Sequence, residues 1–120
     1  MKKFVLLFNC RLLILDDQTV FNHSITHLIT DEIDHADSLI CTLTKQVIFA
    51  IVQHCFILSY RWICDCLQKN LLINEEQYEI EGDHLISTKH NGPRRSRLSQ
   101  RQLLPLNHFS KNRRISRIRN

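Results

Sequence analysis

Glycine and proline are nearly missing from this chain: its 120 residues hold two of each, Gly82, Gly92, Pro93 and Pro105. That scarcity excludes a collagen-like or low-complexity chain. It also removes the glycine-rich loops that cradle phosphates in the two common nucleotide-binding motifs. Long apolar runs are lacking as well, since none approaches the roughly 18 residues of a membrane span. Met1-Lys2-Lys3 followed by Phe4-Val5-Leu6-Leu7-Phe8 imitates a secretory signal, but Arg11 interrupts it and Asp16-Asp17 stands where a small-residue cleavage site belongs. Cysteine is present in odd number, as Cys10, Cys41, Cys55, Cys64 and Cys66, mostly in apolar company. A disulfide framework is not expected from that pattern, and a reducing, intracellular setting without a membrane partner is.

Acid is absent after Asp83. All twelve acidic residues lie between Asp16 and Asp83, against six Lys or Arg in residues 1–88, a net charge of −6. Residues 89–120 carry ten Lys or Arg and no acid, a net +10. The split places a boundary near residue 88, between a body over 1–88 with room for one core and a basic tail over 89–120. Charge of one sign with little apolar periodicity predicts a solvated, disordered tail that binds polyanions through counterion release.

Within the body, Phe4, Leu7, Phe8 and Arg11-Leu12 recur at helical spacing and predict an amphipathic helix over 3–12. Leu13-Ile14-Leu15 follows as a short strand. Thr26-His27-Leu28-Ile29-Thr30 is rich in β-branched residues and too short for a helix, so it reads as a second strand. Val47 to Val52 are six consecutive apolar residues that cover every side of a helix opening near Thr44, which must then be buried on more than one face. Cys55-Phe56-Ile57-Leu58 is a continuous apolar strand of the kind found in parallel sheets covered on both sides. Ser59 can cap a helix from Tyr60 to about Lys69, with Trp62, Ile63, Cys66 and Leu67 on one face. Alternating strands and helices imply an α/β domain with a parallel sheet.

Catalytic chemistry finds no support in these residues. Cys64 and Cys66 stand two apart on a helix and point to nearly opposite sides, so they read as structural thiols and no metal site is expected. His27 and His54 read as satisfied structural histidines. Glu75-Glu76, Glu79 and Glu81-Gly82-Asp83 lack a paired histidine or nucleophile and read as a solvated face. No cofactor is implied.

Taken together, Ile25-Thr26-His27-Leu28-Ile29-Thr30, the apolar helix opened by Thr44, and Cys55-Phe56-Ile57-Leu58-Ser59-Tyr60-Arg61-Trp62-Ile63 with Cys66-Leu67 resemble a BRCT repeat. Tyr78-Glu79-Ile80-Glu81-Gly82-Asp83, Gly92-Pro93-Arg94-Arg95-Ser96-Arg97-Leu98 and Gln102-Leu103-Leu104-Pro105 look like the end of a first repeat and the start of an inter-repeat linker. The resemblance implies a small parallel sheet flanked by helices, of strand order 2-1-3-4, with Thr26, His27, Trp62 and Cys66 as the core signature. It further implies a non-catalytic phosphopeptide-recognition module in the nucleus, part of a ubiquitin-ligase complex of the DNA-damage response and homologous recombination. Any ligase activity would reside in a RING domain outside this chain.

The family's phosphate site joins a Ser or Thr and a Gly after strand one to a Lys in helix two, because a phosphate wants hydroxyl, N–H and ammonium donors together. Here the candidates are Thr44, Lys45 and Gln46, with Gln46 in the Lys position. The first helix matches residues 3–12, so the family's central first strand and its Ser-Gly pair are expected to be missing, as is a second repeat after Pro105. The expectation is a truncated module with weakened binding, whose partners would be phosphorylated proteins of the DNA-damage response. Val47, Ile48, Ile51 and Val52 should form the face toward the absent second repeat and leave an apolar patch. The alternative is a nucleic-acid or chromatin-binding fragment acting through the basic tail.

Overall fold

A computed structural model describes residues 2–8, 10–15, 24–101 and 114–118. In chain order the elements are α1 (Lys2–Phe8), β1 (Arg11–Leu15), β2 (His27–Thr30), α2 (Lys45–Val52), β3 (Phe56–Ser59), α3 (Arg61–Lys69), a 3-10 turn (Glu75–Tyr78), α4 (Gly92–Arg101) and β4 (Arg114–Ile118). The strands form one sheet of order β1-β4-β2-β3, parallel throughout. The expected small parallel sheet flanked by helices is therefore the architecture found.

Successive residues of a strand face opposite sides of its sheet, and here each side has its own core. Leu28 and Ile57 pack with Ile25, Cys41, Val47, Ala50, Cys55 and Ile80 on the α2 side. Ile29 and Leu58 pack with Phe4, Trp62, Ile63 and Cys66 on the side of α1 and α3. Both faces being covered explains why these strands read as unbroken apolar runs. The outer edge of β3 is closed by the chain itself, as the Ile80 N–H donates to the Ile57 carbonyl and Glu79 bridges Leu58.

Three expectations are corrected. The first helix ends at Phe8, and Arg11 and Leu12 instead open β1, level with Arg114 and Ile115. A short apolar run fits helix and strand alike, and the backbone ladder offered by β4 decides between them. The central sheet position, expected to be empty, is filled by β4, which pairs with β1 on one side and β2 on the other. The basic segment, expected to be disordered, contains a helix and a strand. Its helix is anchored by side chains that charge counting cannot see: Pro93 and Arg97 are buried, and Ser96 bonds α2. The string Gln102 to Pro105 and the acidic Asp16-Asp17 lie outside the described residues.

The shortage of glycine shows in the turns. Left-handed backbone occurs at His54, Asn70 and Asn91 and at neither glycine. Asn tolerates this region better than most residues, and Asn70 ends α3 in this way with its N–H on the Cys66 carbonyl. Gly82 is required for a different reason: a Cβ there would lie 2.2 Å from the Ser87 carbonyl oxygen. That close approach lets Gly82 bridge Ile40 while its carbonyl accepts from the Cys41 N–H.

Candidate functional site

Thr26, His27, Trp62 and Cys66 converge in one buried cluster. His27 lies on β2 with its ring stacked against Trp62, centroids 5.6 Å apart, and against Phe56 at 5.1 Å. Its Nδ1 meets the Thr26 hydroxyl at 2.8 Å and its Nε2 meets Glu75 Oε2 at 2.8 Å. Both ring nitrogens are thus engaged within the protein. The Trp62 indole N–H donates to the Ile73 carbonyl at 2.9 Å, and the Ile73 N–H donates to Cys66 Sγ at 3.3 Å. One turn of α3 therefore pins the 71–74 loop and sets the turn that presents Glu75 to His27. The cluster builds structure and offers no open reactive group.

Cys41, Cys55 and His54 are also committed within the fold. Burial pushes the Cys41 thiol up to about 12, helped by the nearby Asp83 charge, and burial alone does the same to Cys55. Neither is a thiolate nucleophile at neutral pH. Cys64 is exposed whereas Cys66 is buried. His54 Nδ1 lies 2.9 Å from the Ser96 carbonyl and holds α4 against the end of α2.

Of the carboxylates expected to form a solvated face, Glu76 is exposed, whereas Glu79 and Asp83 are buried. Glu79 and Arg97 are each 5% exposed and make a two-pronged pair at 3.0 Å and 3.0 Å, with the guanidinium 4.2 Å above the Phe56 ring. Glu81 Oε2 accepts from the Leu39 N–H at 2.7 Å. Asp83 is buried and caps the 83–90 turn, accepting from the Leu85 and Ile86 N–H groups and meeting His90 Nε2 at 2.8 Å. Burial pushes the Asp83 carboxyl up, but the Ile86 and His90 bonds, the Leu85 bond and the His90 charge outweigh it, and the group sits below its ordinary value. The partners of these acids lie up to 42 residues away in sequence, so spacing carries no sign of them.

The phosphate candidates Thr44, Lys45 and Gln46 lie at the start of α2. The short 53–55 turn joins the end of α2 to the start of β3, which leaves the α2 N-terminus toward the carboxyl ends of the parallel strands. Thr44 caps the helix, its hydroxyl accepting from the Val47 N–H at 3.2 Å, and Lys45 beside it is exposed. Gln46 is buried at 3% exposure, so the surface presents Thr44 and Lys45 and not Gln46. A cavity of about 150 Å³ lies elsewhere, lined by Glu76, Gln77, Glu81, Asn91 and Arg94 among others, and its acidic wall repels phosphate.

The apolar helix divides as its periodicity dictates. Val47 is core and Ile51 packs against that core, whereas Ile48 and Val52 are exposed. Phe49 is exposed with them. Positions 48, 49 and 52 share one helix face.

Comparison with known proteins decides the relationship. The chain is 32% identical over 85 residues to the breast cancer type 1 susceptibility protein homolog of Rattus norvegicus, covering 67% of this chain and 5% of that protein. It is 34% identical over 87 residues to the BRCA1-associated RING domain protein 1 of Homo sapiens, covering 72% of this chain and 9% of that protein, and 34% identical over 85 residues to the Mus musculus protein of the same name. The chain holds a BRCT-like region. No family model matches it. The BRCT-like region spans less than a tenth of the relatives it matches.

Proposed function

We propose that this BRCT-like region is a non-catalytic protein-interaction module of a nuclear DNA-damage-response complex, recognising phosphorylated partners through the start of α2. The observation that supports this reading is the exposed Lys45 next to the Thr44 cap, at the carboxyl ends of a parallel sheet. An ammonium beside a helix N-terminus suits a phosphate. With Gln46 buried the site holds fewer donors than a full phosphate pocket, and weak binding is the expectation.

Titrating the full chain with a phosphoserine peptide and its unphosphorylated twin tests this reading. The phosphorylated peptide should bind more tightly, and Lys45→Ala should weaken it by about tenfold, the equivalent of about 1.4 kcal/mol for a lost charge-assisted bond. Equal binding of the two peptides would rule the reading out. A second reading, polyanion binding through the basic segment, is supported by exposed Arg94 and Arg95 on α4 but loses Arg97, which is buried against Glu79.

A further inference from the structure

Opposite charges share the cavity beside the 3-10 turn without touching one another. It measures about 150 Å³, and Glu76, Gln77, Ile80, Glu81, Asn91 and Arg94 are among its lining. Sites for whole small molecules run to roughly 300–1,000 Å³, so this one has room for a single side chain of a larger partner. Main chain frames it: the Glu81 N–H donates to the Leu39 carbonyl at 2.7 Å, and the Asn91 N–H donates to the Glu81 carbonyl at 2.7 Å. The walls are therefore in place before any ligand arrives.

The charged groups facing this space are unequally committed. Glu79 is taken up by its two-pronged pair with Arg97. Glu76 has a half-exposed side chain, and its contact with the Arg97 guanidinium is 4.0 Å, too long for a hydrogen bond. Glu81 accepts from the Leu39 N–H through Oε2, and its Oε1 has no partner among the described residues. Arg94 is exposed and, among the described residues, forms no ion pair with either acid, although all three line one small cavity. A ligand that bridges that separation must offer a cation to Glu76 and Glu81 and an acceptor to Arg94. An anion alone meets two carboxylates, and an apolar side chain would strip them of water with nothing in return. A basic residue in a peptide meets both demands, since its side chain ends in a cation and its main chain carries a carbonyl.

We propose that this cavity is a docking site for one basic residue, Arg or Lys, on an extended segment of a partner protein. Its cationic end lies between Glu76 and Glu81, and its main-chain carbonyl accepts from Arg94. Arg94 makes the site selective for a residue within a peptide over a bare cation, which it repels. The site is independent of the phosphate reading, which uses the start of α2.

The test is a nuclear magnetic resonance titration of the full, isotope-labelled chain with a blocked Ala-Arg-Ala peptide. Its twin carries citrulline in place of Arg, which keeps the shape and removes the charge. One docked side chain should bind with a dissociation constant on the order of 1 mM, and the saturable shifts should centre on the amides of Glu76, Gln77, Glu81 and Arg94. The citrulline peptide and the Glu76→Gln chain should each show binding about fivefold weaker, the worth of one charged hydrogen bond beside solvent. Arg94→Ala decides between docking and simple attraction to acid. Loss of its bond to the carbonyl should weaken binding about threefold, whereas on a merely acidic patch the loss of a positive charge would tighten it. Unchanged amide positions elsewhere check that both variants are folded. Tighter binding by Arg94→Ala, equal binding of the citrulline peptide, shifts centred on the acidic loop at 31–37, or no saturation would each overturn the proposal.

Discussion

The two halves of the sheet are built on different principles. Between β2 and β3 the ladder is reinforced by side chains from distant segments: His27 lies between Trp62 and Phe56 and reaches Glu75, Ser59 Oγ donates to Glu32 at 2.7 Å, and Arg97 clasps Glu79 over Phe56. Between β1 and β4 the pairing is an equally regular parallel ladder, but one of its strands is the basic Arg114–Ile118. Regular backbone bonding is common to both halves, and in β2 and β3 it is joined by complete burial of Leu28, Ile29, Ile57 and Leu58.

The sharpest way to break the β2–β3 half is to remove its largest buried side chain. Trp62→Ala should cost about 3–5 kcal/mol, because the indole leaves a cavity against Phe4 and His27 and strips the Ile73 carbonyl of its donor. Urea denaturation followed by circular dichroism checks this. An effect below about 1 kcal/mol, typical of a surface change, would show that the cluster is not what holds the sheet.

Slightly smaller is the effect expected at the edge of β3. Arg97→Ala should destabilise by about 3 kcal/mol, since Glu79 would remain buried with its charge uncompensated. Pairing it with Glu79→Leu should restore part of the loss, which a merely additive pair would not. The double-mutant cycle by chemical denaturation is the measurement.

Smallest is a pH-dependent contribution from the 83–90 turn. The Asp83 carboxyl is depressed in the folded chain relative to its ordinary 3.8, so the native state binds fewer protons there than the unfolded state. Its contribution is therefore fully present above that ordinary value and is lost as pH falls through the depressed folded value. Asp83→Asn should flatten the stability profile in that acidic window, measured as the urea midpoint against pH. An unaltered profile would detach Asp83 from the turn it caps.

Much of the molecule was legible in the residues. The strands around Leu28 and Ile57 and the helix carrying Trp62 were recoverable because local periodicity and burial on both faces leave a continuous mark in sequence. Ser59 was read as a helix cap and proves to be the last residue of β3, yet its hydroxyl still accepts the Arg61 N–H at 3.2 Å. Of the candidate phosphate ligands, Thr44 and Lys45 reach the surface because they open α2, whereas Gln46 turns inward beside Val47. That distinction depends on how the helix is rotated against its sheet, which spacing alone does not specify.

By itself the sequence determined the class of the fold, the core elements of both faces and the kinship with BRCT repeats, because these follow from short-range pattern. Only the tertiary structure decided that Glu79 and Arg97 are a buried pair, that Asp83 is a cap, and that a basic segment supplies the central strand. Each of these joins residues far apart in the chain through backbone or charge partners. A charged residue looks the same in sequence whether its partner is water or a buried counter-ion, and a strand's backbone bonds in the same way whatever its side chains.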